Sequence, residues 1–189
     1  FEQVTVDKTP VETTITDNDY KLTTDDSSST KEDTPYTLNI NDFGTPLTTI
    51  TKVKIVEVPT NGQLLLNGTI VNAGQEINRI DIDSGKLVFK PNSNTDENGN
   101  FEFLVNDGTK WANVETTTEI IVTAVADTPI TSIDAVKLSS GEYTVKIDAA
   151  LTDTDGSETL TVKISNVPNG AELSSTKYEV TKNADGSWN

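Results

Sequence analysis

Hydrophobic and polar residues alternate along this chain in short runs with the two-residue period of a β-strand. The alternation is clean in Phe101-Glu102-Phe103-Leu104-Val105. It is fair over residues 36–40, 51–58, 63–66, 69–71, 86–89 and 117–125. Thr, Val and Ile dominate these runs, and β-branched side chains suit a pleated, half-buried surface. Turn chemistry separates them: Pro59-Thr60-Asn61-Gly62, Asn67-Gly68, Ser84-Gly85, Asn98-Gly99 and Asp107-Gly108. Helical periodicity is almost missing, and one turn of helix is expected only at 77–83. About seven short strands over residues 36–125 predict an all-β, immunoglobulin-like or cadherin-like sandwich.

The second half restarts the pattern. Val53-Lys54-Ile55, Val58-Pro59 and Leu64 reappear at a constant offset as Val162-Lys163-Ile164, Val167-Pro168 and Leu173. A period of about 100 residues points to tandem sandwiches rather than to a solenoid of short repeats. Acidic junctions at Asp17-Asn18-Asp19 and Ala126-Asp127-Thr128 mark the expected boundaries. Residues 1–18 then read as the last strand or strands of a preceding repeat, 19–127 as a full sandwich, and 128–189 as the first part of a second, incomplete or split one. The chain opens on Phe1-Glu2-Gln3-Val4, which reads as mid-strand and suggests a piece of a longer protein.

Composition narrows the chemistry. The chain has no Cys, His or Met, which removes disulfides, thiol nucleophiles, the usual general base and most zinc chemistry. Its net charge is -16, which repels nucleic acid and anionic lipid and attracts cations. No apolar run reaches the roughly 18 residues of a membrane helix. Oxygen ligands dominate, and they suit hard cations such as calcium.

Three acidic groups stand out. Asp153-Thr154-Asp155-Gly156-Ser157-Glu158 puts carboxylates at alternate positions around a Gly, so a tight turn can aim several oxygens at one point. It lacks the spacing of an EF-hand. Asp17 and Asp19, with Glu32 and Asp33 nearby, form a second group at the first junction. Two carboxylates about 5 Å apart repel by roughly 0.8 kcal/mol in water, and a divalent ion reverses that sign. Asn106 and Asp107 are a third candidate, expected to act at the domain end near Asp127. Each group also reads as a plain solvated turn or linker, above all in the Ser-, Thr- and Asp-rich stretch 21–34. The segment 94–100, Asn-Thr-Asp-Glu-Asn-Gly-Asn, also looks calcium-like but reads more readily as a plain polar loop. Trp111 reads as a packing residue or as a sugar-stacking platform. Paired carboxylates could in principle run glycoside hydrolysis, but they would need a concave, partly apolar pocket, and here they sit in turns and linkers.

Several motifs together resemble a known family. Val6-Asp7-Lys8-Thr9-Pro10 with Thr13-Thr14-Ile15-Thr16-Asp17 resembles the end of an immunoglobulin-like repeat in giant biofilm adhesins of the repeats-in-toxin class, which bacteria export by type I secretion. Glu32-Asp33-Thr34-Pro35, Asn41-Asp42-Phe43-Gly44, Gly85-Lys86-Leu87-Val88-Phe89-Lys90-Pro91 and the run from Phe101 to Thr109 resemble their cadherin-like repeats. The resemblance implies a non-enzymatic, extracellular extender at the bacterial surface. It also implies calcium at domain junctions, neighbouring repeats of the same polypeptide as partners, and a separate domain that meets a glycan or peptide. One departure is that Thr45-Pro46-Leu47 follows Gly44 where an Asp-x-Asp-Gly loop is common, while the second half keeps such a loop at Asp153. The alternative function is a split scaffold that carries or forms part of a sugar- or peptide-binding module.

Overall fold

A computed structural model of the chain describes residues 19–45 and 50–189. The strongest alternation builds its centre. In β8 (Gly99–Asn106) Phe101, Phe103 and Val105 are buried, while Asn100 is exposed and Glu102 and Leu104 are half-buried. β8 lies between β3 (Lys52–Glu57) and β9 (Thr116–Thr123), antiparallel to both. β6 (Glu76–Asn78) pairs with β3, and β1 (Asp26–Lys31) runs parallel to β9, which completes a five-stranded sheet in the order β1-β9-β8-β3-β6. A second sheet of four strands stands opposite, in the order β2-β7-β4-β5: Tyr36–Thr37, Leu87–Lys90, Gln63–Leu66 and Thr69–Ile70.

The two inner faces bury one core of Leu38, Phe43, Val53, Ile55, Leu64, Ile77, Ile82, Leu87, Phe89, Phe101, Phe103 and Ile120, among others. Phe43 and Phe103 meet edge to face, with ring centroids 5.0 Å apart and planes at 82°, a geometry the ring quadrupoles favour. Gly99 is required here: a Cβ on it would lie 2.4 Å from the Phe89 ring.

Three expectations are refined. The run 36–40 gives a strand of only two residues, because Asn39 starts a 3-10 turn over Ile40–Phe43. Its side-chain oxygen accepts from the Asn41 amide, and the Asp42 carboxylate accepts from the Asn39 backbone and carboxamide. The helical turn expected at 77–83 is α1, Arg79–Asp83. The stretch 21–34, read as linker-like, instead holds strand β1.

Beyond Val125 the chain forms an antiparallel hairpin, β10 (Ile130–Lys137) with β11 (Tyr143–Ala150). One face carries Ile133, Ala135, Val145 and Ile147 in register, and Ile133 is 69% and Val145 49% exposed. Val162 and Ile164, the sequence counterparts of Val53 and Ile55, form no strand; Ile164 makes an isolated bridge with Trp188. None of the described helices is long and apolar enough to cross a membrane.

Candidate metal centre

The parallel pairing of β1 with β9 carries the chain along the full sheet and delivers its next residue to one end of the sandwich. The ladder continues past Lys31, where the Glu32 amide donates to the Thr123 carbonyl at 3.0 Å. The Val125 amide then donates to Glu32 Oε1. Asp33 turns the chain with φ of 54°, and its Oδ1 accepts from the Asn94 amide at 3.3 Å.

The Asp153 loop meets this end. Thr152 Oγ1 donates to the Thr128 carbonyl at 2.9 Å, and the Thr152 carbonyl accepts from Asn94 Nδ2 at 3.2 Å. Asp153 Oδ1 accepts from the Asp155 amide at 2.9 Å, and Asp155 Oδ1 from the Ser157 amide at 2.8 Å. These two side-chain turns curl the loop around Gly156, whose φ is 100°. Asp155 Oδ2 also accepts from the Asp96 amide at 3.2 Å.

Glu32, Asp153 and Asp155 thereby each offer a carboxylate oxygen, all within 4.8 Å of one another. Glu32 is 3% exposed and Asp153 2%. Glu32 Oε2, Asp153 Oδ2 and both carboxylate oxygens of Glu158 are buried without a hydrogen-bond partner. A buried, unpaired carboxylate costs several kcal/mol or takes up a proton or a cation. The Val125 amide pulls the Glu32 pKa down, but burial and the charges of Asp153 and Glu158 outweigh it, and the net direction is up. Burial raises the Glu158 pKa, and Asp153, Asp155 and Asp127 raise it further. None of the ion pairs among the described residues places a Lys or Arg on this cluster. The donor set is anionic and all oxygen, which fits a hard divalent ion.

The other candidates fall elsewhere. Asp17 lies outside the described residues. Asp19 is exposed, next to Tyr20. Asn106 and Asp107 stand at the far end of β8 from Gly99, so they are at the opposite end of the sandwich from Glu32 and not beside Asp127 as the sequence suggested. There Asp107 accepts from Tyr20 Oη at 2.6 Å, Thr109 Oγ1 at 2.6 Å and the amides of Thr109 and Lys110. Those hydrogen bonds hold its pKa well below the carboxylate range. Asn106 Oδ1 accepts from the Gly108 amide and from Thr51 Oγ1. Neither joins a group of three acidic side chains among the described residues.

Two corrections follow. Glu32 belongs with the Asp153 loop rather than beside Asp19, because β1 carries it across the domain. The Asp153 loop is not self-contained, because Glu32, Asn94 and Asp96 close it from the other side. The segment 94–100 looks calcium-like in the sequence, but nothing there places Asn94 and Asp96 against the Asp153 loop.

Residues 14–124 match a family model described as cadherin-like. No curated protein and no solved structure matches the chain.

Proposed function

Because the chain belongs to the cadherin-like family, whose domains are extracellular adhesion modules that typically bind calcium, we propose that it is a calcium-stiffened extender of a large secreted bacterial adhesin. In this reading it projects a ligand-binding domain of the same polypeptide from the cell surface, in adhesion or biofilm formation. Its partners are calcium ions and neighbouring repeats; contact with a host or biofilm glycan or peptide falls to another domain.

One observation carries the reading. Buried carboxylate oxygens without partners meet at the seam, with Glu32 from the sandwich and Asp153 and Glu158 from the segment after it. A divalent ion held by Glu32, Asp153 and Asp155, with Glu158 and Asp127 in support, would turn a repulsive hinge into a clamp. The net charge of -16 agrees with a cation-loving surface and disfavours nucleic acid as a partner. Trp111 gives the sugar-binding alternative little support, since Lys54 Nζ sits 5.1 Å from its ring centroid and covers one face.

Thermal melting in calcium and in chelator tests the proposal. An ion bound only by the folded state at 100 times its Kd adds about 2.7 kcal/mol. The expected result is a higher Tm and a longer particle in solution scattering with calcium. Equal melting and equal dimensions in both buffers would refute it.

A further inference from the structure

We propose that Asn67 is the acceptor of an N-linked glycan that covers the open edge of the four-stranded sheet. Asn67-Gly68-Thr69 is an Asn-x-Thr triplet without a central proline, the acceptor pattern for N-glycosylation. The chain has seventeen asparagines, and this is the one followed two positions on by Ser or Thr. The triplet alone proves little, so its placement decides.

β4 and β5 pair with Leu66 opposite Thr69, which leaves Asn67 and Gly68 as the two-residue turn between them. Both have positive φ, 52° and 78°, as a tight Asn-Gly hairpin requires. The Asn67 amide donates to the Lys86 carbonyl at 3.0 Å, which fixes the backbone of the tip. All three residues of the triplet are exposed. The Asn67 carboxamide makes no hydrogen bond among the described residues. By contrast, Asn39, Asn98 and Asn106 engage theirs with backbone amides. A Cβ at Gly68 would meet nothing within 4 Å, so the turn stands clear of the fold. An enzyme can reach Asn67 with the sheet already formed.

The neighbourhood gives the modification a purpose. β5 is an edge strand of only two residues, and its Ile70 is 53% exposed. An open edge with an apolar side chain invites pairing with another chain. A sugar at Asn67 would lie over that edge. It would also leave the metal centre clear. Lys86, beside Asn67, precedes β7, whereas Lys90 at the other end of β7 leads toward Asn94 at the seam.

The transfer balances simply. Asn67 Nδ2 bonds to the anomeric carbon of a sugar activated as a nucleotide diphosphate or lipid pyrophosphate. The bond from that carbon to phosphate oxygen breaks, the phosphate leaves with the electron pair, and an Nδ2 proton passes to a base of the transferase.

The test is peptide mapping by mass spectrometry of the protein taken from the surface of the cells that make it. The expected result is a hexose or N-acetylhexosamine on the peptide holding Asn67, with the other asparagines bare. Asn67→Gln and Thr69→Val should each lose the sugar completely, and Thr69→Val, which leaves the turn residues unchanged, should melt as the sugar-free protein does. A bare Asn67 in the unaltered protein, or the aspartate left by deamidation of its Asn-Gly bond, would overturn the proposal. The outcome does not depend on calcium.

Discussion

Glu32 and Asp153 meet across the seam, and each keeps one carboxylate oxygen buried without a hydrogen-bond partner. They come from segments more than a domain's width apart in sequence. β1 brings the first to the end of the five-stranded sheet, and the turn pinned by Thr152 brings the second.

Neutralising either partner should have opposite effects with and without metal. Glu32→Gln and Asp153→Asn remove like-charge repulsion, so each should raise Tm in chelator. Each should also shrink the gain that calcium gives. Paired melting curves of the three proteins check this, and a variant that lowered Tm equally in both buffers would contradict it.

Glu102 carries a second prediction. It lies opposite Glu57 in the register of β3 and β8. Burial raises its pKa, as do the charges of Glu57 and Glu115. A folded-state pKa above the unfolded one gives stability that is fully present below the ordinary glutamate range and lost as pH rises through the raised value. Glu102 therefore weakens the fold at neutral pH. Glu102→Gln should stabilise it by about 0.2–1 kcal/mol, the scale of a cross-strand pair. The gain should vanish in acid, and urea unfolding at neutral and acid pH checks it.

Asp107 should behave in the reverse way. Hydrogen bonds from Thr109, Tyr20 and the Lys110 amide depress its pKa. Its contribution is therefore present above the ordinary aspartate range and lost as pH falls through the depressed value. Asp107→Asn should lower Tm at neutral pH and flatten the acid limb of the stability curve. The increment from calcium should stay intact, because this end of the sandwich does not share the Glu32 cluster. Melting against pH, with and without calcium, separates the two ends.

Gly99→Ala tests the core. Its methyl group would fall 2.4 Å from the Phe89 ring, and overpacking of this kind costs about 1–3 kcal/mol. Urea unfolding should show that loss equally in calcium and in chelator.

The sandwich was legible in the sequence because Phe101, Phe103 and Val105 alternate without interruption and the turns carry Asn-Gly, Ser-Gly and Asp-Gly. β1 was hidden, since Asp26-Ser27-Ser28-Ser29-Thr30-Lys31 has the composition of a linker. It holds as a strand through its pairing with β9, and Ser28 Oγ also donates to buried Asp42. Missing β1 put Glu32 at the wrong end of the domain. The Asp153 loop was visible from spacing alone, but its partners were not. Parallel pairing between residues some ninety positions apart leaves no local pattern to read. Asp107 looked like a metal ligand because Asn-Asp-Gly can supply oxygens. Its turn instead satisfies those oxygens with nearby donors.

Titration calorimetry of calcium into chelator-stripped protein is the most direct check on the clamp. The unaltered chain should give a saturable isotherm, and the double variant Glu32→Gln, Asp153→Asn should lose it. Matching isotherms from the two proteins, or no binding to the unaltered chain, would contradict the account.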